Sequence, residues 1–102
     1  MIYHLHNDDT ATTVRMSGRF TYNDHAGFHT LLGRLKELPD GGTVVIDLGK
    51  VEFADSAALG MLVIANDLAE QKQQELVIRH PREQVCMAFE IAAMSTLLKI
   101  EA

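Results

Sequence analysis

Cysteine occurs once in this chain, at Cys86, and tryptophan does not occur. A single thiol excludes an intrachain disulfide and a multi-cysteine metal centre, which fits a reducing cytosol. There are only two prolines, and no repeat, low-complexity tract or linker breaks the 102 residues. That length fits one domain, residues 1–102, and no more. No run of Lys and Arg could follow a nucleic-acid backbone, and nine basic against fourteen acidic residues leave a net charge of -5. Direct nucleic-acid binding is therefore not expected. The longest apolar stretch, Ala57 to Ala65, has nine residues, where a membrane-spanning helix needs about 20. Residues Met1 to Asp9 lack the basic patch and apolar stretch of a secretory signal. The expectation is a soluble, cytoplasmic domain without membrane insertion.

With 47% of residues hydrophobic, a small core can form. Alternation predicts a strand over residues 2–6 and another over 10–17, the latter with Val14 and Met16 inward. Asn7-Asp8-Asp9 is a turn signal between them, so the two strands form a hairpin, and Gly18 closes the second. Asn23 or Asp24 can cap a helix that carries Phe28, Leu31, Leu32, Leu35 and Leu38 at helical spacing, and Pro39-Asp40-Gly41-Gly42 stops it. Thr43 to Leu48 is almost continuous in β-branched residues and reads as a central strand covered on both faces. Gly49 to Ala54 reads as the connection after it, with Val51 and Phe53 folding back onto the core. A helix runs from Asp55-Ser56 to roughly Lys72, with a wide apolar arc. A short strand follows over Leu76 to Ile78. Pro81 suits an initial helical position, and Val85, Ala88, Phe89 and Ala92 make a core-facing stripe. Residues Thr96 to Ile100 read as a final edge strand. The order β-β-α-β-α-β-α-β, with helices alternating with apolar strands, is that of an α/β domain. It implies a mixed, mostly parallel sheet of about five strands with right-handed crossovers.

The informative segment is Thr43 to Leu62. A strand delivers Asp47 at its C-terminal end, and a short loop sets Asp55 and Ser56 at the mouth of a helix. That edge of an α/β sheet is the usual place for function. A helix N-terminus exposes unpaired amides and the positive end of the dipole. A phosphoryl group on Ser56 would carry roughly -1.5 to -2 charges into that field. The fold would persist while the surface potential changed sharply. Asp or Ser before an apolar helical run is also the mark of a helix cap, and the two roles can coexist.

This segment resembles the signature of the STAS domain family, in particular the bacterial anti-sigma factor antagonists. The resemblance lies in Val44-Val45-Ile46-Asp47-Leu48, then Val51 and Phe53, then Asp55-Ser56-Ala57-Ala58-Leu59-Gly60, and in Gly18 after the second strand. Element order and length are similar over essentially the whole chain. The resemblance implies that Ser56 is phosphorylated by an anti-sigma factor with serine kinase activity, and that a PP2C-type phosphatase reverses this. The unphosphorylated protein would capture the anti-sigma factor and so release a sigma factor. It also implies that Asp55 orients the serine and contacts the kinase, that Asp47 and Gly60 support the site, and that residues 57–64 belong to the docking face. Two departures stand out. Ala57 and Ala58 replace the Ser/Thr and Gly often found after the phosphoacceptor, which stiffens the first helical turn. The run Gln71 to Glu75 lacks the glycine usual before the next strand, so a looser turn or a longer helix is expected there.

Met61 and Ile64 are candidates for the partner-facing patch, beside Ala57 and Ala58. Phe20 and Tyr22 are candidates for its rim; packing in the core is the alternative for each. Among five histidines, His4 with His6 and His25 with His29 could share a ligand by spacing. No HExxH pattern or sequence-local His/Asp/Glu constellation accompanies them, so no metal is expected. The chain lacks a G-x-S-x-G elbow, a P-loop and a dinucleotide fingerprint. Asp55 alone activates a hydroxyl poorly. The chain is therefore expected to be no enzyme and to use no cofactor. The leading expectation is a phosphorylation-controlled partner switch. The alternative is a non-switching STAS interaction subunit of a transporter ATPase or of a stress-signalling complex. A small-molecule sensor on the same fold is a third possibility.

Overall fold

The computed structural model describes residues 1–8, 10–91 and 97–101. Strands β1 (Ile2–Asn7) and β2 (Ala11–Phe20) lead into a single 3-10 turn over Tyr22–Asp24 and helix α1 (His25–Lys36). Strand β3 (Thr43–Ala54), helix α2 (Ser56–Gln71), strand β4 (Glu75–Arg79), helix α3 (Glu83–Ile91) and strand β5 (Lys99–Glu101) follow. The five strands lie in the order β1-β2-β3-β4-β5. β1 and β2 form the expected antiparallel hairpin, and the remaining pairs are parallel. β3 is central, as its β-branched run predicted, but the helices cover only one of its faces and not both. Ala92 and Thr96, assigned above to the last stripe and the last strand, lie outside the described residues, as does Asp9 of the hairpin turn.

One core joins the helices to a single face of the sheet. Val14 and Met16 from β2, Val44, Ile46 and Leu48 from β3, and Leu76 and Ile78 from β4 meet Leu31, Leu62 and Phe89 from the three helices. Val45 and Val77 alternate with these residues. They face the other side, paired in register with Thr13 and Lys99. That opposite face is polar: His4, Arg15, Asp47, Arg79 and Glu101 occupy one row across all five strands.

Residues 49–54 are strand, not a connection. Between Arg15/Ser17 and again between Gly18/Arg19 the β2–β3 register slips, β3 supplying one extra residue each time. Each bulge reverses the side-chain parity, so Val44, Ile46, Leu48, Val51 and Ala54 all stay on the core side. Val51 therefore reaches the core as expected. Phe53 is only half-buried, under the guanidinium of Arg19 at 4.4 Å from the ring centre. Gly18 does not end β2. With φ at +85 it sits at the second bulge, where a side chain would be strained.

The helix ends also differ from expectation. Asp24, one of the two candidate caps, stands at the N-cap position of α1, but its carboxylate makes no cap bond to α1. It accepts from Thr21 N at 2.8 Å, while the Thr21 hydroxyl caps the 3-10 turn by accepting from Asn23 N. Pro81 lies outside α3, which begins at Glu83. Helix α2 ends in a Schellman motif: Gln74 N donates to Ala69 O at 2.8 Å and Gln73 N to Glu70 O at 3.1 Å. Gln73 takes φ +56 there, the left-handed conformation usually given to glycine. The turn is thus tight despite the missing glycine.

Candidate functional site

The C-terminal end of β3 runs directly into α2, and Asp55 makes the junction. Its backbone is extended, and its Oδ1 accepts from Ala58 N at 2.8 Å, an N-cap. Its Oδ2 accepts from Tyr22 N at 3.0 Å. One carboxylate thereby caps α2 and ties it to the turn after β2. Asp55 N also donates to Phe20 O at 3.3 Å. These links fix the next residue, Ser56, at the first position of α2 with its side chain exposed. Because Asp55 already takes the cap, the Ser56 hydroxyl is not needed to close the helix end.

Around it, sequence-based candidates divide sharply. Tyr22 is 69% exposed and stacks on His25 with ring centres 6.2 Å apart. Ile64, two turns along the outer side of α2, is 55% exposed. Ala57 is half-buried. Phe20, Ala58 and Met61 are corrections: at 1%, 0% and 6% exposure they belong to the core, and their side chains line no surface. Phe20 stacks on Phe28 at 5.4 Å, which draws it inward. Ala58 and Met61 fall on the sheet-facing side of α2. Gly60 is half-buried, and a Cβ added there would meet nothing within 4 Å.

Asp47 is also corrected. It does not close a strand, because β3 continues to Ala54; it lies about 20 Å from that end at roughly 3.3 Å per residue. It sits on the polar face of the sheet, and its Oδ1 accepts from Gly49 N at 2.8 Å. The structure does not bring it together with Ser56.

Sequence reasoning missed the support beneath the site. The Met1 amino group donates to Asp24 Oδ1 at 2.9 Å. Burial acts to raise the Asp24 pKa, but the Thr21 amide and the Met1 ammonium outweigh it and hold the carboxyl below its usual range. The pattern Thr-x-x-Asp at residues 21–24 was the available signal for this capping box.

Among the described residues no group of three or more His, Cys, Asp or Glu side chains could hold a metal ion, and no helix is long and apolar enough to cross a membrane. At the Ser56 end the geometry offers an exposed hydroxyl, an oriented carboxylate and the positive end of a sixteen-residue helix. It suits a modification or docking point.

A family profile described as "Mlab, STAS domain" matches residues 3–99. A STAS-domain containing protein of Pseudomonas aeruginosa (strain UCBPP-PA14) is 28% identical over 93 residues, covering 91% of this chain and 90% of that protein. Among solved structures, an anti-sigma-factor antagonist (STAS) domain protein from Planctomyces limnophilus superposes with a TM-score of 0.86 at 14% identity, over 98% of this chain and 89% of that one. SpoIIAA is similar in two states. The unphosphorylated anti-sigma factor antagonist gives a TM-score of 0.75 at 13% identity, over 99% of this chain and 89% of that one. The phosphorylated form, from Bacillus, gives 0.65 at 12% identity, over 99% and 92%. At such identities the superpositions establish the fold.

Proposed function

The chain belongs to the STAS domain family, and we propose that it works as a phosphorylation-controlled anti-sigma factor antagonist whose switch is Ser56. The observation that carries this reading is the exposed Ser56 at the first position of α2, beside a cap supplied by Asp55 and not by the serine itself. In this reading the partner is an anti-sigma factor with serine kinase activity. The kinase brings its nucleotide and base; this chain contributes only the acceptor. The Oγ–P bond forms as the terminal P–O bond of the nucleotide breaks, and the hydroxyl proton leaves to the kinase. A PP2C-type phosphatase hydrolyses the ester, and the cycle runs in the cytoplasm. The chain itself performs no catalysis and uses no cofactor.

The physical effect of the modification follows from its place. Roughly two negative charges enter the field of the α2 amides, which favour them. Asp55, one residue away, opposes them. The helix therefore stays formed while the docking end becomes strongly anionic. A partner surface that fits Tyr22, Ser56 and Ile64 when the hydroxyl is free must then accept an unpaired charge, or desolvate it.

A second reading has one observation in its favour: the matching family profile carries the name Mlab and not that of a sigma regulator. In that case the same end would dock, without a serine switch, on a transporter ATPase or a stress-signalling complex. Intact mass of the protein recovered from its native cells, with and without phosphatase treatment, separates the two. We expect a phosphatase-sensitive phosphoryl group on Ser56. Ser56→Asp should lose the co-purifying kinase and Ser56→Ala should retain it. An unmodified Ser56, with both variants bound equally to an ATPase, rejects the switch.

A further inference from the structure

On the sheet face turned away from the helices, the geometry points to a second binding site, independent of Ser56: a groove for a phosphate monoester of a small hydroxylated molecule. The groove encloses about 630 Å³ and is lined by His4, Arg15, Ser17, Asp47, Lys50 and His80, with Gly49 in its floor. That volume falls in the range of small-molecule sites, roughly 300–1,000 Å³.

Charge singles this groove out. The chain as a whole is acidic, and the cations of β4 and β5 on the same face are already paired, while Arg19 of β2 lies over the Phe53 ring. Lys99 Nζ lies 2.8 Å from Glu75, and Arg79 lies 3.4 Å from Glu101. Toward β1 and β2 the pattern changes. Arg15 and Lys50 are exposed and form no ion pair among the described residues. His4 and His80 stand with them. Asp47 is the single anion in the lining, and one of its oxygens is committed to the Gly49 amide. Four basic side chains thus line the groove with one carboxylate that is already half used.

The backbone is shaped to the same end. The first bulge of β3 falls at residues 47–50 and opens the sheet there. Gly49 leaves room there: a Cβ would come within 3.1 Å of Asp47 Oδ1, and the carboxylate would have to give by a few tenths of an ångström. Arg82 Nε donates to the Gly49 carbonyl at 2.9 Å. His80 takes φ +57, a left-handed conformation uncommon for a non-glycine residue, while His80 N donates to Glu101 O at 2.9 Å. A strained residue fixed by its neighbours at the edge of a cleft is the usual setting of a ligand contact.

These features assign the parts of the ligand. A phosphate dianion is held between Arg15 and Lys50, with His4 and His80 at its sides, by charge-assisted hydrogen bonds. The free oxygen of Asp47 and the Ser17 hydroxyl accept from hydroxyls on the carrier.

Ribose 5-phosphate serves as the probe, with ribose and inorganic phosphate as its two halves. In amide NMR titrations of the full chain, ribose 5-phosphate should give saturable shifts at Ser17, Gly49, Lys50 and His80. Its affinity should exceed that of either half. Arg15→Gln or Lys50→Gln should each weaken binding about tenfold. Both side chains are exposed, so the variants keep the fold, and the unchanged spread of their amide signals verifies this. Three results would overturn the assignment: no saturable shift at millimolar probe, equal affinity for inorganic phosphate, or shifts confined to the start of α2. None of these bears on whether Ser56 is phosphorylated.

Discussion

Asp55 uses both carboxylate oxygens on backbone amides from two separate elements, Ala58 N at 2.8 Å and Tyr22 N at 3.0 Å. Removing the carboxylate leaves the first turn of α2 without its cap and frees the turn after β2. An N-cap replaced by alanine costs about 0.5–2 kcal/mol. We expect Asp55→Ala to lie at the upper end of that range in urea unfolding, because the Tyr22 link is lost as well. Ser56→Ala, at an exposed position that does not cap, should stay within about 0.5 kcal/mol of the parent. The contrast separates a carboxylate the fold depends on from a hydroxyl it does not need. It also shows what the sequence could and could not say about the site. Asp55-Ser56 before an apolar helical run was legible because the signal is local. The Tyr22 contact spans 33 residues and leaves no local trace. Ala58 and Met61 were misplaced on the surface because the apolar arc of α2 is wide, and periodicity alone does not say which part of it meets the sheet. Phe20, the last residue of β2, is drawn inward by its stacking on Phe28 of α1.

At the scale of elements, local pattern held wherever geometry was regular. The hairpin, the central β3 and the three helices follow from alternation and helical spacing. Reading failed where the backbone departs from its period. Gly49 looked like a strand end, yet it is a bulge residue, and the two bulges carry β3 six residues further to Ala54. A glycine in a strand marks a bulge as readily as a terminus. The end of α2 failed in the opposite sense. Without a glycine, a looser turn or a longer helix was expected, but Gln73 accepts the left-handed conformation so that the Schellman hydrogen bonds can close. A non-glycine residue there costs about 1–2 kcal/mol, partly offset by the larger unfolded-state entropy of glycine. Gln73 is exposed, so its side chain is dispensable. Gln73→Gly should therefore stabilise the domain by about 0.5–1 kcal/mol, read as a higher urea midpoint at unchanged m-value.

At the scale of the whole molecule, β3 connects the two surfaces. Near its middle Asp47 borders the groove on the polar face, and just past its end Asp55 sets the start of α2. The two carboxylates share no hydrogen-bond partner: Asp47 holds Gly49 N, and Asp55 holds Ala58 N and Tyr22 N. They stand more than 20 Å apart along the strand at roughly 3.3 Å per residue, well beyond the 7–10 Å over which substitutions usually interact. If β3 is only a scaffold, the unfolding free energies of Asp47→Ala and Asp55→Ala add. The double variant should then fall within about 0.5 kcal/mol of the sum of the single ones. Asp47→Ala alone should cost about 1 kcal/mol, the worth of one half-buried hydrogen bond to a charged acceptor. A larger coupling would mean that the bulged strand transmits strain between the faces. A ligand in the groove would then bias the docking end, since any coupling free energy between two sites acts reciprocally. Additive single and double variants in chemical denaturation would instead leave the two faces as separate devices on one sheet.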